Sequence, residues 1–189
     1  DYVGIPVVSG GGIGGVHRGA EVSMDISSDL EEIVERNVIV VCSGAKSILD
    51  LNLTMEYLET KAVSVIGYRT DELPAYMART SGIKLTCRMD DVKTIADTYN
   101  IKNEFGVKTG IILANMIDEE YAVDSELMNK VIDEAVESSV KDKISGKAIT
   151  GYLMKYLKEK MGSDSMEAQK HMIIQNAVLA AEVASEICG

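Results

Sequence analysis

The chain has 189 residues, 46% of them hydrophobic and 26% charged, with a formal net charge of −11; that suffices for one domain with a real core and has the wrong sign for general binding to nucleic acid or anionic membranes. Aromatic residues make up 5% and Trp is absent, so the stacking platforms of single-strand binders are lacking. No apolar run reaches the roughly 20 residues of a membrane span, no basic-then-apolar signal opens the chain, and three cysteines without CxxC or Cys/His spacing read as reduced thiols of a cytoplasmic protein.

In chain order, VGIPVV (3–8) is a short apolar run ending in glycines and predicts a buried strand. DISSDLEEIVER (25–36) predicts a helix, with Ser27 or Ser28 as N-cap and acids in its first turn. VIVVCS (38–43) is a β-branched buried strand, SILDLNLTMEYLETK (47–61) is mostly helix, and VSVIGY (63–68) is another strand. Residues 68–82 predict loop and a short helix around Pro74. A helix over 90–106, a strand over 109–117 and an amphipathic helix over 124–143 follow. Two more helices cover 151–162 and 165–187; the second is long, Ala-rich and apolar over much of its surface, as expected of a helix packed on the domain or a neighbouring subunit. Strands that alternate with helices predict an α/β fold, layered α/β/α around a central mixed, largely parallel sheet.

Gly10-Gly11-Gly12-Ile13-Gly14-Gly15 contains GxGxxG after a strand. The following Val-His-Arg-Gly is a poor start for the helix that a dinucleotide fingerprint requires, and Asp29 opens a helix instead of ending a second strand. No GK[ST] follows, so a phosphate-binding P-loop is excluded. Glycines allow close backbone approach to an anion through amide donors, with His17 and Arg18 adding donors; a tight turn at a sheet end is the plainer use. Asp25 suits a hard-cation site or a hydroxyl clamp, and a single carboxylate with waters fits Mn2+ or Mg2+ better than zinc. Its plainer role is a solvated loop acid, and that of Asp29 is a helix cap. Lys46 follows an apolar strand and a glycine, where α/β sheets place ligands. Partial burial there would lower its pKa and expose a nucleophilic amine.

GGIGGVHRGAEVSMDISSDL with VVCSGAKSILD resembles the pseudouridine-5'-phosphate glycosidase family, also called indigoidine synthesis protein A-like. GYRTDELPAYMARTSG, GIILANMIDEEYA and GSDSMEAQKHMIIQNAVLAAEVA extend the resemblance over nearly all of the chain. It implies cleavage of the C–C glycosidic bond of pseudouridine 5'-phosphate to uracil and ribose 5-phosphate, with a divalent metal, usually Mn2+, in a homotrimer. By residue, it implies Lys46 as nucleophile, Asp25 as metal ligand, and Ser27, Ser28, Asp29 and His17 as substrate contacts. Gly11 and Gly12 are candidate holders of phosphate or ribose, and Gln169 stands where the family usually has Asn. Gly10 replaces a usual Thr, and the prolines of the usual ANPIPEE block are Met116 and Asp118 here. The family's catalytic acid and a second substrate lysine lie upstream of Asp1 in this comparison. Residues 1–189 are therefore expected to form a single domain that is the carboxyl-terminal portion of a longer glycosidase domain, with an upstream segment or chain completing the site. The alternative is a non-catalytic sugar-phosphate-binding or assembly subunit.

Overall fold

The computed structural model describes residues 1–144 and 148–189. Its strands are β1 (Val7–Ser9), β2 (Val16–His17), β3 (Ile39–Cys42), β4 (Leu49–Asp50), β5 (Ser64–Tyr68), β6 (Cys87–Met89) and β7 (Ile111–Asn115). Five of them form a sheet in the order β1-β3-β7-β5-β6, with every neighbouring pair parallel. Among the described residues, antiparallel pairing between strands is confined to the small β2–β4 ladder. The helices are α1 (Ala20–Ser23), α2 (Ser28–Glu35), α3 (Leu51–Thr60), α4 (Val92–Glu104), α5 (Ser125–Lys141) and α6 (Ala148–Cys188).

Side chains alternate across a strand, so a sheet covered on both faces reads as a continuous apolar run. Strand β7 shows the division. Ile111 and Leu113 pack with Ile95 and Tyr99 of α4 and with Leu179 and Val183 of α6. Ile112 and Ala114 face the other core, with Leu30 and Ile33 of α2, Met55 and Leu58 of α3, and Met128 and Ile132 of α5. The expected α/β/α layering is therefore present. Four helix starts are held by a side chain: Ser27 accepts from the Asp29 amide at α2, Asp50 from Leu53 at α3, Asp91 from Thr94 at α4 and Asp124 from Leu127 at α5, caps worth about 1 kcal/mol each. Helix α6 carries a left-handed break at Gly162, with φ 61° and ψ −137°, which divides it as the two predicted helices require. Among the described residues no helix is long and apolar enough to cross a membrane.

Two expectations fail. The run 3–8 is not a buried strand: β1 covers only Val7–Ser9 at the sheet edge, where one side lacks a neighbouring strand, and Val3, Ile5 and Val8 are exposed. The stretch around Pro74 forms no helix; it is held by isolated bridges, Glu72 with Lys84 and Ala75 with Ala78. The Glu72 carboxylate accepts from the amides of Ser81 and Gly82, and the Ser81 hydroxyl donates to the Leu73 carbonyl. Side-chain partners thus satisfy backbone groups that a helix would have paired internally.

Candidate active site

The glycine-rich segment runs as a strap between two other parts of the chain. On one edge it pairs with the end of β3 and the loop beyond. Gly10 donates to the Val41 carbonyl at 3.0 Å, Ser43 to Gly11 at 2.8 Å, Ile13 to Gly44 at 3.1 Å and Lys46 to Ile13 at 3.1 Å. Next, β2 pairs with β4, aligning Val16 with Asp50 and His17 with Leu49. On the other edge the Gly14 amide donates to Asp29 Oδ2 at 2.7 Å. The Ser27 amide donates to the Gly15 carbonyl and the His17 amide to the Asp25 carbonyl, each at 3.0 Å. Five residues, 13–17, thereby draw Lys46, Asp25, Ser27 and Asp29 around one short piece of backbone. Ser28, also singled out in the sequence, is the exposed first residue of α2.

Lys46 lies just beyond the carboxyl end of β3 and is half-buried. Its loop is fixed by Gly44, whose φ is +77°; a Cβ there would sit 2.1 Å from the Pro74 carbonyl oxygen. A left-handed turn against another backbone admits only glycine. Ser47, buried beside Lys46, donates to the Ala75 carbonyl at 3.1 Å. Burial pushes the Cys42 thiol up to about 11, against smaller opposing pulls from the Gly44 and Ile13 backbone and from the Lys46 charge. Cys42 is an inert core thiol; Cys87 is half-buried and Cys188 exposed.

His17 and Asp25 share the wall of a cavity of about 490 Å3, closed by Ile48 and by Val136 and Leu153 of the surrounding helices. His17 is buried, with Nε2 at 3.3 Å from the Thr150 hydroxyl. Asp25 Oδ2 is buried without a hydrogen-bond partner among the described residues, and a buried carboxylate oxygen in that state is costly unless a cation or water meets it. No cluster of three or more His, Cys, Asp or Glu surrounds it among those residues. One free carboxylate oxygen without soft ligands fits a hard divalent cation that keeps most of its waters. Arg18 borders this cavity and a second one of about 430 Å3 beside Ser47 and Asp50, and Arg18 Nη1 pairs with Asp133 Oδ1 at 2.6 Å.

Gly11 and Gly12 pass beneath the Tyr76 ring: a Cβ on Gly12 would lie 2.6 Å from Tyr76 Cδ2. Close approach is therefore used internally, whatever else these glycines contact. Gln169 Nε2 donates to the Tyr76 hydroxyl at 2.9 Å, and the Tyr76 amide donates to the Ser43 carbonyl at 2.9 Å, so Gln169 reaches the strap through Tyr76. Sequence reasoning passed over Asn176. Its Nδ2 donates to Gly10 O at 2.8 Å and to Ser43 Oγ at 3.1 Å, and its Oδ1 accepts from Asn115 at 3.0 Å. The available signal was an amide on the buried stripe Ala168, Met172, Asn176, Leu179, Val183.

The model for "indigoidine synthase A like protein" matches residues 1–186. The chain belongs to this family. It is 45% identical over 187 residues to a pseudouridine-5'-phosphate glycosidase of Geobacillus kaustophilus, covering 99% of this chain and 62% of that protein. The same identity holds over 183 residues to the Escherichia coli pseudouridine-5'-phosphate glycosidase, covering 97% and 59%. Among solved structures, the prealnumycin C-glycosynthase AlnA, crystallised with ribulose 5-phosphate, superposes with a TM-score of 0.93 at 38% identity, covering 98% of this chain and 61% of that one. An indigoidine synthase A-like protein of Thermotoga maritima gives 0.87 at 31%, covering 97% and 60%. The chain thus spans about three-fifths of the length of the relatives it matches.

Proposed function

We propose that this chain forms the lysine-bearing part of an enzyme that cleaves the C–C glycosidic bond of pseudouridine 5'-phosphate to uracil and ribose 5-phosphate. The observation that carries the reading is the clustering of Lys46, Asp25, Ser27 and Asp29 along residues 13–17, in a chain 45% identical to glycosidases of that name. Ordinary glycosidases use two carboxylates, one of which protonates a leaving oxygen; a C-glycoside has none at the anomeric carbon. An amine offers another route. As the ribose ring C–O bond opens, the Lys46 amine bonds to the anomeric carbon. The carbon–carbon bond then breaks, its electron pair passes to the uracil ring, and the ring is released with a proton on that carbon. The iminium left on Lys46 is hydrolysed by water, which frees ribose 5-phosphate and the amine.

In this reading Ser27, Asp29 and His17 hold the ribose and phosphate, with Gly11, Gly12 and Gln169 forming the neighbouring wall. Asp25 would hold a divalent cation, Mn2+ in this reading, whose positive charge would steady the anionic ligand. The homotrimer, the cytoplasmic setting and an upstream segment completing the site belong to the same proposal. Borohydride trapping with ribose 5-phosphate tests it, on the chain supplied with the upstream part that full-length relatives carry. A reduced adduct at Lys46 is expected, absent from Lys46→Ala; undiminished adduct in that variant overturns the assignment.

A further inference from the structure

A cavity of about 470 Å3 opens at the carboxyl ends of β5 and β7, on different strands from the Lys46 loop. Tyr68, Arg69, Arg79 and Asn115 line one side; Ile174 and Val178 of α6 line the other. Carboxyl ends of parallel strands are where open α/β sheets receive ligands, and the volume lies in the range of small-molecule sites.

The two arginines are unusual in this molecule. The chain carries a net charge of −11, yet among the described residues neither Arg69 nor Arg79 joins an ion pair. Each instead donates one N–H to a backbone carbonyl: Arg69 Nε to Asp90 at 3.1 Å, Arg79 Nη1 to Ile117 at 2.5 Å. Those bonds tether the guanidinium groups while leaving most of each donor fork for an acceptor. Arg69 is further steadied over the Tyr68 ring, 4.7 Å from its centroid, and adopts a left-handed φ of 55°, uncommon for a non-glycine residue. Tethered guanidinium groups suit bidentate recognition of a phosphate or carboxylate. Asp118 and Glu182, both exposed, also border the cavity. Their charge limits how much anion the wall accepts, which favours one anionic head over a polyphosphate. Ile174 and Val178, each more than half exposed, offer apolar contact to the rest of the ligand.

We propose that this cavity binds a small phosphate monoester with a planar or apolar body, its head held by Arg69 and Arg79 and its body laid on Ile174 and Val178. The inference does not rest on the glycosidase reading. Phenyl phosphate is the probe, titrated calorimetrically into the 189-residue chain at low ionic strength. Saturable binding is expected, unchanged within about twofold in Lys46→Ala, and weakened at least tenfold in Arg69→Gln and in Arg79→Lys. Phenol alone is expected not to bind. Absence of saturation, equal binding by phenol, or loss in Lys46→Ala with retention in the arginine variants overturns the proposal. Inorganic phosphate binding as tightly as phenyl phosphate removes the apolar half of it. Arg79 supports the Ile117 carbonyl, so if Arg79→Lys fails to fold, the exposed Arg69→Gln carries the test.

Discussion

Asp25 combines two demands that conflict in the unliganded chain. Its backbone carbonyl accepts from His17, which fixes the residue beside the glycine strap, while Oδ2 is buried without a partner among the described residues. A cation relieves that deficit, and so does neutralising the side chain. Asp25→Asn is therefore expected to raise the melting temperature of the metal-free chain slightly, by an amount worth about 1 kcal/mol. It is also expected to abolish the stabilisation that Mn2+ gives the parent, since a ligand raises stability only in proportion to its occupancy of the folded state. Thermal melts with and without Mn2+ read both effects; equal Mn2+ shifts in parent and variant would sink the metal assignment. Asp25 could be singled out in the sequence because it opens the DISSDL block that carries the family resemblance and has no Cys or His at zinc spacing beside it. Asn176 was overlooked there because a helix pattern reports only which face is buried. It does not report that the buried face meets the open carbonyl of Gly10 and the Asn115 amide, which an amide side chain can satisfy at once.

At the level of elements, the long ones were legible and the short ones were not. Strands β3 and β7 are continuous β-branched or aliphatic runs because both of their faces are covered, and that pattern survives without any knowledge of partners. Strands β2 and β4 have two residues each, too few for any period, and exist because each pairs with the other across a long stretch of chain, Val16 with Asp50 and His17 with Leu49. Strand β6 is a three-residue edge with Arg88 exposed between Cys87 and Met89, equally silent to pattern. The Lys46 loop depends on one such unreadable contact, the Gly44 turn against Pro74. Gly44→Ala meets both a left-handed φ, worth about 1–2 kcal/mol, and a backbone clash of the overpacking kind, about 1–3 kcal/mol. A loss of about 2–5 kcal/mol by denaturant titration is expected. Gly19→Ala, at a similar φ of +80° but with nothing within 4 Å of the new Cβ, is expected to lose only the first part. Equal losses in the two variants would show that the Pro74 contact does not constrain the loop.

For the whole molecule, the decisive quantity is length. More than a third of each curated relative lies outside the matched region, and the resemblance assigns a catalytic acid and a substrate lysine to their upstream part. Within these 189 residues Lys46, Asp25, Ser27 and Asp29 are grouped along residues 13–17, but the bond-breaking step of the proposed reaction also needs a proton delivered to the departing uracil carbon. General acids and bases each contribute about 10²–10⁴-fold. With the acid assigned upstream by the resemblance, the 189-residue chain alone is expected to release uracil from pseudouridine 5'-phosphate at least about 10²-fold more slowly than a full-length relative. Adding the upstream part of such a relative, fused or as a separate chain, is expected to restore turnover, read as uracil release by chromatography. If addition restores nothing while Lys46 still forms its borohydride adduct, the fault lies in the residues that differ from the family. Gly10→Thr with Gln169→Asn is then the pair to test, because Gly10 opens the strap and Gln169 reaches it through Tyr76. Full-rate uracil release by the 189 residues alone would instead require an acid within this chain. Glu21, four residues beyond the buried His17, would be the first to replace.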